Sequence, residues 1–154
     1  MKIIEFLNEK AITAELKATD KEGVIKELTD LLARVEGLRN KEEIIKILLA
    51  REELGSTGIG FGIGIPHGKS NLVKNLTAAF GISSKGIEFD ALDGEPVHIF
   101  FLLLAPEDSA GPHLKALARI SRLLKDKYFR DFLRQLPDAK SLYKAIKEED
   151  AKRS

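Results

Sequence analysis

Val97-His98-Ile99-Phe100-Phe101-Leu102-Leu103-Leu104 decides the architecture, because apolar side chains fall on both alternating faces of an extended chain. A strand of that kind is covered from both sides, so it belongs in the middle of a sheet with a layer packed on each face. The flanking sequence supplies those layers. Upstream, Thr19 and Glu22 form a capping box, and Val24, Ile25, Leu28, Leu31, Leu32 and Val35 make one helical stripe ending at Gly37. Asn40 with Glu43 opens a second helix, which carries Ile44, Ile45, Ile47, Leu48 and Leu49 to about Glu53 and closes at Gly55. Downstream of Pro106, helical patterns run near 111–126, 127–136 and 138–149, the second with Phe129, Phe132, Leu133 and Leu136, the third with Leu142 and Ile146. Helices, then strands, then helices predict an α/β fold, a three-layer α/β/α sandwich whose small mixed β-sheet is covered by helices on both faces.

Further strands are expected at Leu76–Ile82 and, by alternation of Ile12, Ala14 and Leu16, at Ala11–Lys17. A short helix fits Ile3–Leu7, an extended piece Gly86–Leu92, and a turn Asp93-Gly94. A chain of 154 residues suits one domain, read here as residues 1–150 with a frayed tail at 151–154. Apolar residues at 44% against 32% charged give enough core material to exclude intrinsic disorder. The formal net charge of +1 lacks the basic excess that nucleic-acid binding needs, so no nucleic-acid partner is expected. The absence of cysteine removes disulfides, thiolate ligands and a cysteine nucleophile. It fits a reducing compartment, and a cytoplasmic location is expected. No stretch approaches the ~20 apolar residues of a membrane span, so no membrane insertion is expected.

Six of the twelve glycines fall between Gly55 and Gly68. Gly58, Gly60, Gly62 and Gly64 alternate with Ile59, Phe61, Ile63 and Ile65, which predicts one strand with an apolar face and a face of bare backbone. Such a face either packs closely on a helix or admits a ligand or partner. Two nucleotide-site readings fail on spacing: a P-loop ending at Gly68-Lys69-Ser70 would need glycine at Ile63, and a dinucleotide fingerprint from Gly62 would need it at His67. The strand delivers Ile65-Pro66-His67-Gly68, a histidine displayed between a residue of fixed φ and one without a side chain. A neutral imidazole there can serve as nucleophile, base or ligand.

His113 follows Gly111-Pro112 at a helix start, with proline at the first helical position, so the dipole favours its neutral form. It shares a face with Leu117, Ile120 and Leu124 and therefore points inward, either as a hydrogen-bonded core residue or as a second imidazole beside His67. Arg51, in line with Ile44 and Leu48, either complements the helix dipole or lies under the loop beginning at Gly55, where it could meet an anion. Ser56 and Thr57 either donate to the same anion or make the turn. His98 reads as a structural residue of the central strand.

The run from Arg51 through Ser56-Thr57-Gly58 to Ile65-Pro66-His67-Gly68 resembles the active-site signature of the fructose/mannitol/nitrogen-type enzyme IIA (EIIA) domains of the bacterial phosphotransferase system. The resemblance extends to Pro112-His113-Leu114 with its helix, and to the order of elements along nearly the whole chain. It implies that His67 accepts a phosphoryl group through Nε2 from the phosphorylated phosphocarrier protein HPr, and that His113 and Arg51 help to hold it. Phosphate contacts from Ser56 and Thr57 complete the expected set. Histidine-to-histidine transfer depends on positioning and oxygen donors, so no cofactor and no metal is expected. Gly64 departs from the alanine the family often carries. Relatives fused to a IIB domain bear a phosphorylated cysteine there; a chain with no cysteine resembles a stand-alone IIA. The resemblance implies a phosphocarrier that serves a IIB component during sugar uptake, or alternatively a nitrogen-regulatory protein whose phosphorylation state controls binding to regulated targets. Docking is expected on a small transient surface near His67 that includes Phe61 and Leu72.

Overall fold

The computed structural model describes residues 1–153. A single 3-10 turn at Ile3–Glu5 leads into β1 (Leu7–Thr13), followed by α1 (Lys21–Glu36) and α2 (Lys41–Glu53). Three short strands come next, β2 (Gly58–Gly60), β3 (Ile63–Gly64) and β4 (His67–Lys69), and then the long pair β5 (Thr77–Ile87) and β6 (Val97–Ala105). Helices α3 (Ala110–Leu124), α4 (Lys127–Leu133) and α5 (Ala139–Lys152) complete the chain.

The sheet runs in the order β1-β5-β6-β3-β2, with β4 also paired to β6. It is mixed: β5 runs antiparallel to β6, while β1 is parallel to β5 and β3 and β4 are parallel to β6. The two-sided burial expected of β6 is realised residue by residue. Ile99, Phe101 and Leu103 enter a core shared with α3, α4 and α5, whereas Phe100, Leu102 and Leu104 enter one shared with α1 and α2. An edge-on aromatic pair lies in each core, Phe80 of β5 with Phe101 in one and Phe89 with Phe100 in the other. The helices thus sit on both faces, as the three-layer reading requires.

Local boundaries differ in instructive ways. Helix α1 is capped by Asp20, which accepts from Gly23 N at 2.7 Å, and not by Thr19. With Asp20 as the N-cap, its carboxylate accepts from the N–H of the third helical residue, Gly23. Gly37 closes the helix in the left-handed region, as expected. The first strand lies at Leu7–Thr13, earlier than Ala11–Lys17, because its pairing with β5 is interrupted by a bulge between Leu7 and Ile12 that breaks the alternation. The expected helix at Ile3–Leu7 is one 3-10 turn. At the other end α5 continues to Lys152, so residues 151 and 152 are helical where a frayed tail was expected, and residue 154 of that tail lies outside the described residues.

The alternating glycine run is not one strand. It folds into a tight hairpin, β2 against β3, with Phe61 and Gly62 as the two turn residues at φ 60° and 76°. Two consecutive positive φ values are what a hairpin turn following the right-handed strand twist demands. The glycines made the direct alternation ambiguous, because a residue without Cβ is as comfortable in a turn as in a strand. Gly58 is required for space as well: a Cβ there would lie 2.9 Å from Ala91 Cα.

Candidate active site

Because β3 and β4 pair with successive parts of β6, the hairpin and the His67 strand lie end to end along one edge of that central strand. His67 opens β4 opposite Leu103, and Pro66 accepts the Leu103 N–H at 2.9 Å. The His67 ring is half-buried and its Nδ1 meets the Ile65 carbonyl at 2.8 Å. A carbonyl can only accept, so Nδ1 carries the proton and Nε2 keeps its lone pair. Burial is the largest influence on this imidazole and holds its pKa below the usual 6.5. The Ile65 bond opposes that shift, the Arg51 charge adds to it, and the Glu52 charge again opposes it. The net result is a neutral nucleophile at neutral pH. The neighbouring Gly68 does not open space beside the ring but admits α2: a Cβ would meet Ile47 at 3.0 Å.

His113 stands in the first turn of α3, which begins at Ala110 and not at Pro112. The ring is 6% exposed and lies edge-on to His67, with centroids 5.5 Å apart. Burial, then the charges of His67 and Lys69, lower its pKa to about 4. Its Nε2 has no hydrogen-bond partner among the described residues. A buried polar atom left so costs about 1–3 kcal/mol, which a core histidine chosen for stability alone would not bear. Next to it, Leu114 projects from the helix and is 68% exposed.

Arg51 lies in the last turn of α2 and donates from one terminal nitrogen to the Gly55 carbonyl at 2.8 Å, which places it under the loop, the second of its two readings. The guanidinium has further N–H groups, and its charge is felt at His67. Ser56 Oγ donates to the Phe89 carbonyl and accepts from Gly58 N, and Thr57 Oγ1 donates to Glu52. Both hydroxyls would have to exchange these partners to reach an anion. His98 Nδ1 meets the Ser83 carbonyl at 2.9 Å, in keeping with a structural role.

Of the two residues expected at a docking surface, Phe61 at the hairpin tip is 68% exposed, with the Arg130 guanidinium over its ring, while Leu72 is half-buried against the α1–α2 layer. The residue not expected is Glu52. It is 7% exposed and receives Thr57 N, Thr57 Oγ1 and the Lys21 ammonium. The signal was present in the sequence, since 44, 48 and 52 continue the buried line of α2 and place a carboxylate where an apolar residue is due.

Residues 5–149 match the family model described as "Phosphoenolpyruvate-dependent sugar phosphotransferase system, EIIA 2". The chain belongs to that type-2 enzyme IIA family. This EIIA domain is 39% identical, over 146 residues and 95% of each chain, to a nitrogen regulatory protein of Bradyrhizobium diazoefficiens. It is also 39% identical over 141 residues to the fructose-specific EIIABC component of Bacillus subtilis, covering 92% of this chain and 22% of that one. Among solved structures, nitrogen regulatory protein IIA-Ntr from Neisseria meningitidis superimposes with a TM-score of 0.86 at 34% identity, over 92% of this EIIA and 97% of the other chain. The protein is thus a phosphotransfer component of the phosphotransferase system. No helix among the described residues is long and apolar enough to cross a membrane.

Proposed function

We propose that this EIIA accepts a phosphoryl group on His67 Nε2 from phosphorylated HPr, and that the phosphorylation state of His67 governs which proteins it binds, as in the nitrogen-regulatory branch. One observation carries the acceptor assignment: Nδ1 is committed to the Ile65 carbonyl, so the other ring nitrogen holds the free electron pair. That pair attacks phosphorus in line as the donor's P–N bond breaks, and the departing nitrogen keeps the bonding electrons. The His67 proton stays on Nδ1, where the Ile65 carbonyl stabilises the cationic ring that forms. His113 Nε2, as the N–H tautomer, and the free edge of Arg51 are the donors to the phosphoryl oxygens. Ser56 and Thr57 reach them only by giving up their present partners.

The regulatory reading draws support from 39% identity to a nitrogen regulatory protein over 95% of each chain and from the IIA-Ntr superposition. The sugar-uptake reading, with a IIB component as the next acceptor, draws support from the fructose-specific relative. Incubation with phosphoenolpyruvate, enzyme I and HPr should yield one acid-labile, base-stable phosphate, absent from His67→Ala. Persistent labelling of that variant would remove the site. Offering the labelled chain a IIB protein then separates the two branches: retention of phosphate favours regulation, and discharge favours sugar uptake.

A further inference from the structure

We infer that Glu52, braced by Lys21, is a positioning residue for phosphoryl acceptance, acting on His67 through Thr57 and Ile65. The inference rests on the reading of His67 as the acceptor. The connection is continuous. Lys21 Nζ lies 3.0 Å from Glu52 Oε1. Oε1 accepts the Thr57 N–H at 3.1 Å, and Oε2 accepts the Thr57 hydroxyl. The Thr57 carbonyl accepts Ile65 N at 3.0 Å, and the Ile65 carbonyl accepts His67 Nδ1 at 2.8 Å. Each link fixes the orientation of the next, so the carboxylate sets the plane of the peptide that decides which nitrogen of His67 bears the proton.

Stability does not explain the carboxylate. It is buried, with only 4% of its side chain exposed, and it sits in the last turn of α2, where the helix dipole disfavours negative charge. A buried ion pair of this kind is commonly matched or bettered by apolar side chains of similar volume. Lys21 is held in place in turn, with its ammonium 4.8 Å from the centre of the Phe89 ring and 3.8 Å from the exposed Asp90. The pairing also neutralises Glu52 behind a site that must receive an anion.

Two readouts test this. In ¹⁵N-labelled protein, the wild-type His67 ring should be the Nδ1–H tautomer, and Glu52→Ala should move it toward the Nε2–H form that a free imidazole favours. Acceptance from phospho-HPr should then slow by about 10- to 100-fold, with an unchanged KM for HPr. Glu52→Gln keeps an acceptor and a hydrogen-bonding partner for Thr57, and should retain both the tautomer and most of the rate. A folded Glu52→Ala with wild-type tautomer and rate overturns the inference. If Glu52→Ala does not fold, Thr57→Val decides: a shift toward Nε2–H supports the inference and an unchanged tautomer overturns it. If the wild-type chain takes no phosphate, the proposed function fails, and the tautomer alone still decides the role of Glu52.

Discussion

His67 and His113 face each other edge-on, with ring centroids 5.5 Å apart and planes at 75°, and the two imidazoles differ in what their nitrogens are doing. The first has one nitrogen bound to a carbonyl, whereas the second has a buried nitrogen bound to nothing among the described residues. That asymmetry supports the proposed roles, attack by His67 and donation by His113. Replacing His113 by Ala should slow acceptance from phospho-HPr by on the order of 10²-fold, the scale seen when one preorganised oxygen donor is lost. Labelling of His67 should still occur at long times. Rapid-quench measurement of labelling checks this, and an unchanged rate would return His113 to the core.

The low pKa of His113 also makes a stability prediction. The folded protein holds the ring neutral down to about pH 4, while the unfolded chain takes up a proton near 6.5. The associated stability is therefore complete above pH 6.5 and is lost as the pH falls toward 4, by about 3 kcal/mol in all. His113→Gln, which cannot titrate, should show a shallower fall in urea-unfolding free energy across that interval. Equal slopes for the two proteins would contradict the assignment.

Arg51 lowers the pKa of His67 through its charge. Arg51→Ala should therefore raise that pKa, while acceptance slows because an oxygen donor is gone. The wild-type rate should fall on acidification with a midpoint below the ordinary imidazole range, since protonation removes the nucleophilic lone pair, and the variant's acid limb should lie at higher pH. NMR titration of His67 and the pH–rate profile measure the same shift independently. Arg51→Lys should keep the pKa effect but recover only part of the rate, because a point ammonium cannot bond Gly55 and a phosphoryl oxygen as a planar fork can.

The layers were legible in the sequence because they depend on burial. Phe100 and Phe101 had to face opposite cores, and the helical stripes at 24–35 and 111–124 supplied them. The place of His67 after the glycine run and the inward aim of His113 were equally readable. What escaped was set by partners distant in the chain or by backbone freedom. Phe61-Gly62 turns because the strand beside it needs an antiparallel return, and Asp20 caps α1 because of where the preceding loop arrives. The hydroxyls of Ser56 and Thr57 are claimed by Phe89 and Glu52, a competition no local pattern records.

Phe61 carries a bulky side chain at φ 60°, a conformation that costs a residue of this type about 1 kcal/mol or more, and most of that side chain faces solvent. Stability gives little in return beyond the Arg130 contact at 5.3 Å, worth about 0.5–1 kcal/mol when exposed. Phe61→Asn should thus leave the melting temperature unchanged or slightly raised. If Phe61 belongs to the docking surface, the same variant should raise the KM for HPr several-fold with little change in kcat. A KM equal to wild type would take Phe61 off that surface.

Asp150 ties the ends of the described chain together. Its carboxylate accepts Ile3 N at 2.7 Å and Arg119 Nε at 2.6 Å, and Arg119 also reaches the Asp150 carbonyl at 3.3 Å. The group is 3% exposed near the C-terminus of α5, where the dipole opposes a negative charge, so its value lies in the two donors it satisfies. Asp150→Ala leaves Arg119 and the Ile3 N–H without it and should cost about 3–5 kcal/mol. Urea denaturation should show this as a lower midpoint at unchanged m. Asp150→Asn should rescue little, because one amide oxygen can serve Ile3 but the amide nitrogen then confronts the Arg119 donor. Removal of everything after Glu149 should cost at least as much as Asp150→Ala, because the Asp150 carbonyl and the Arg153–Asp126 pair go too, and a truncated chain as stable as the full one would show that the clamp contributes nothing.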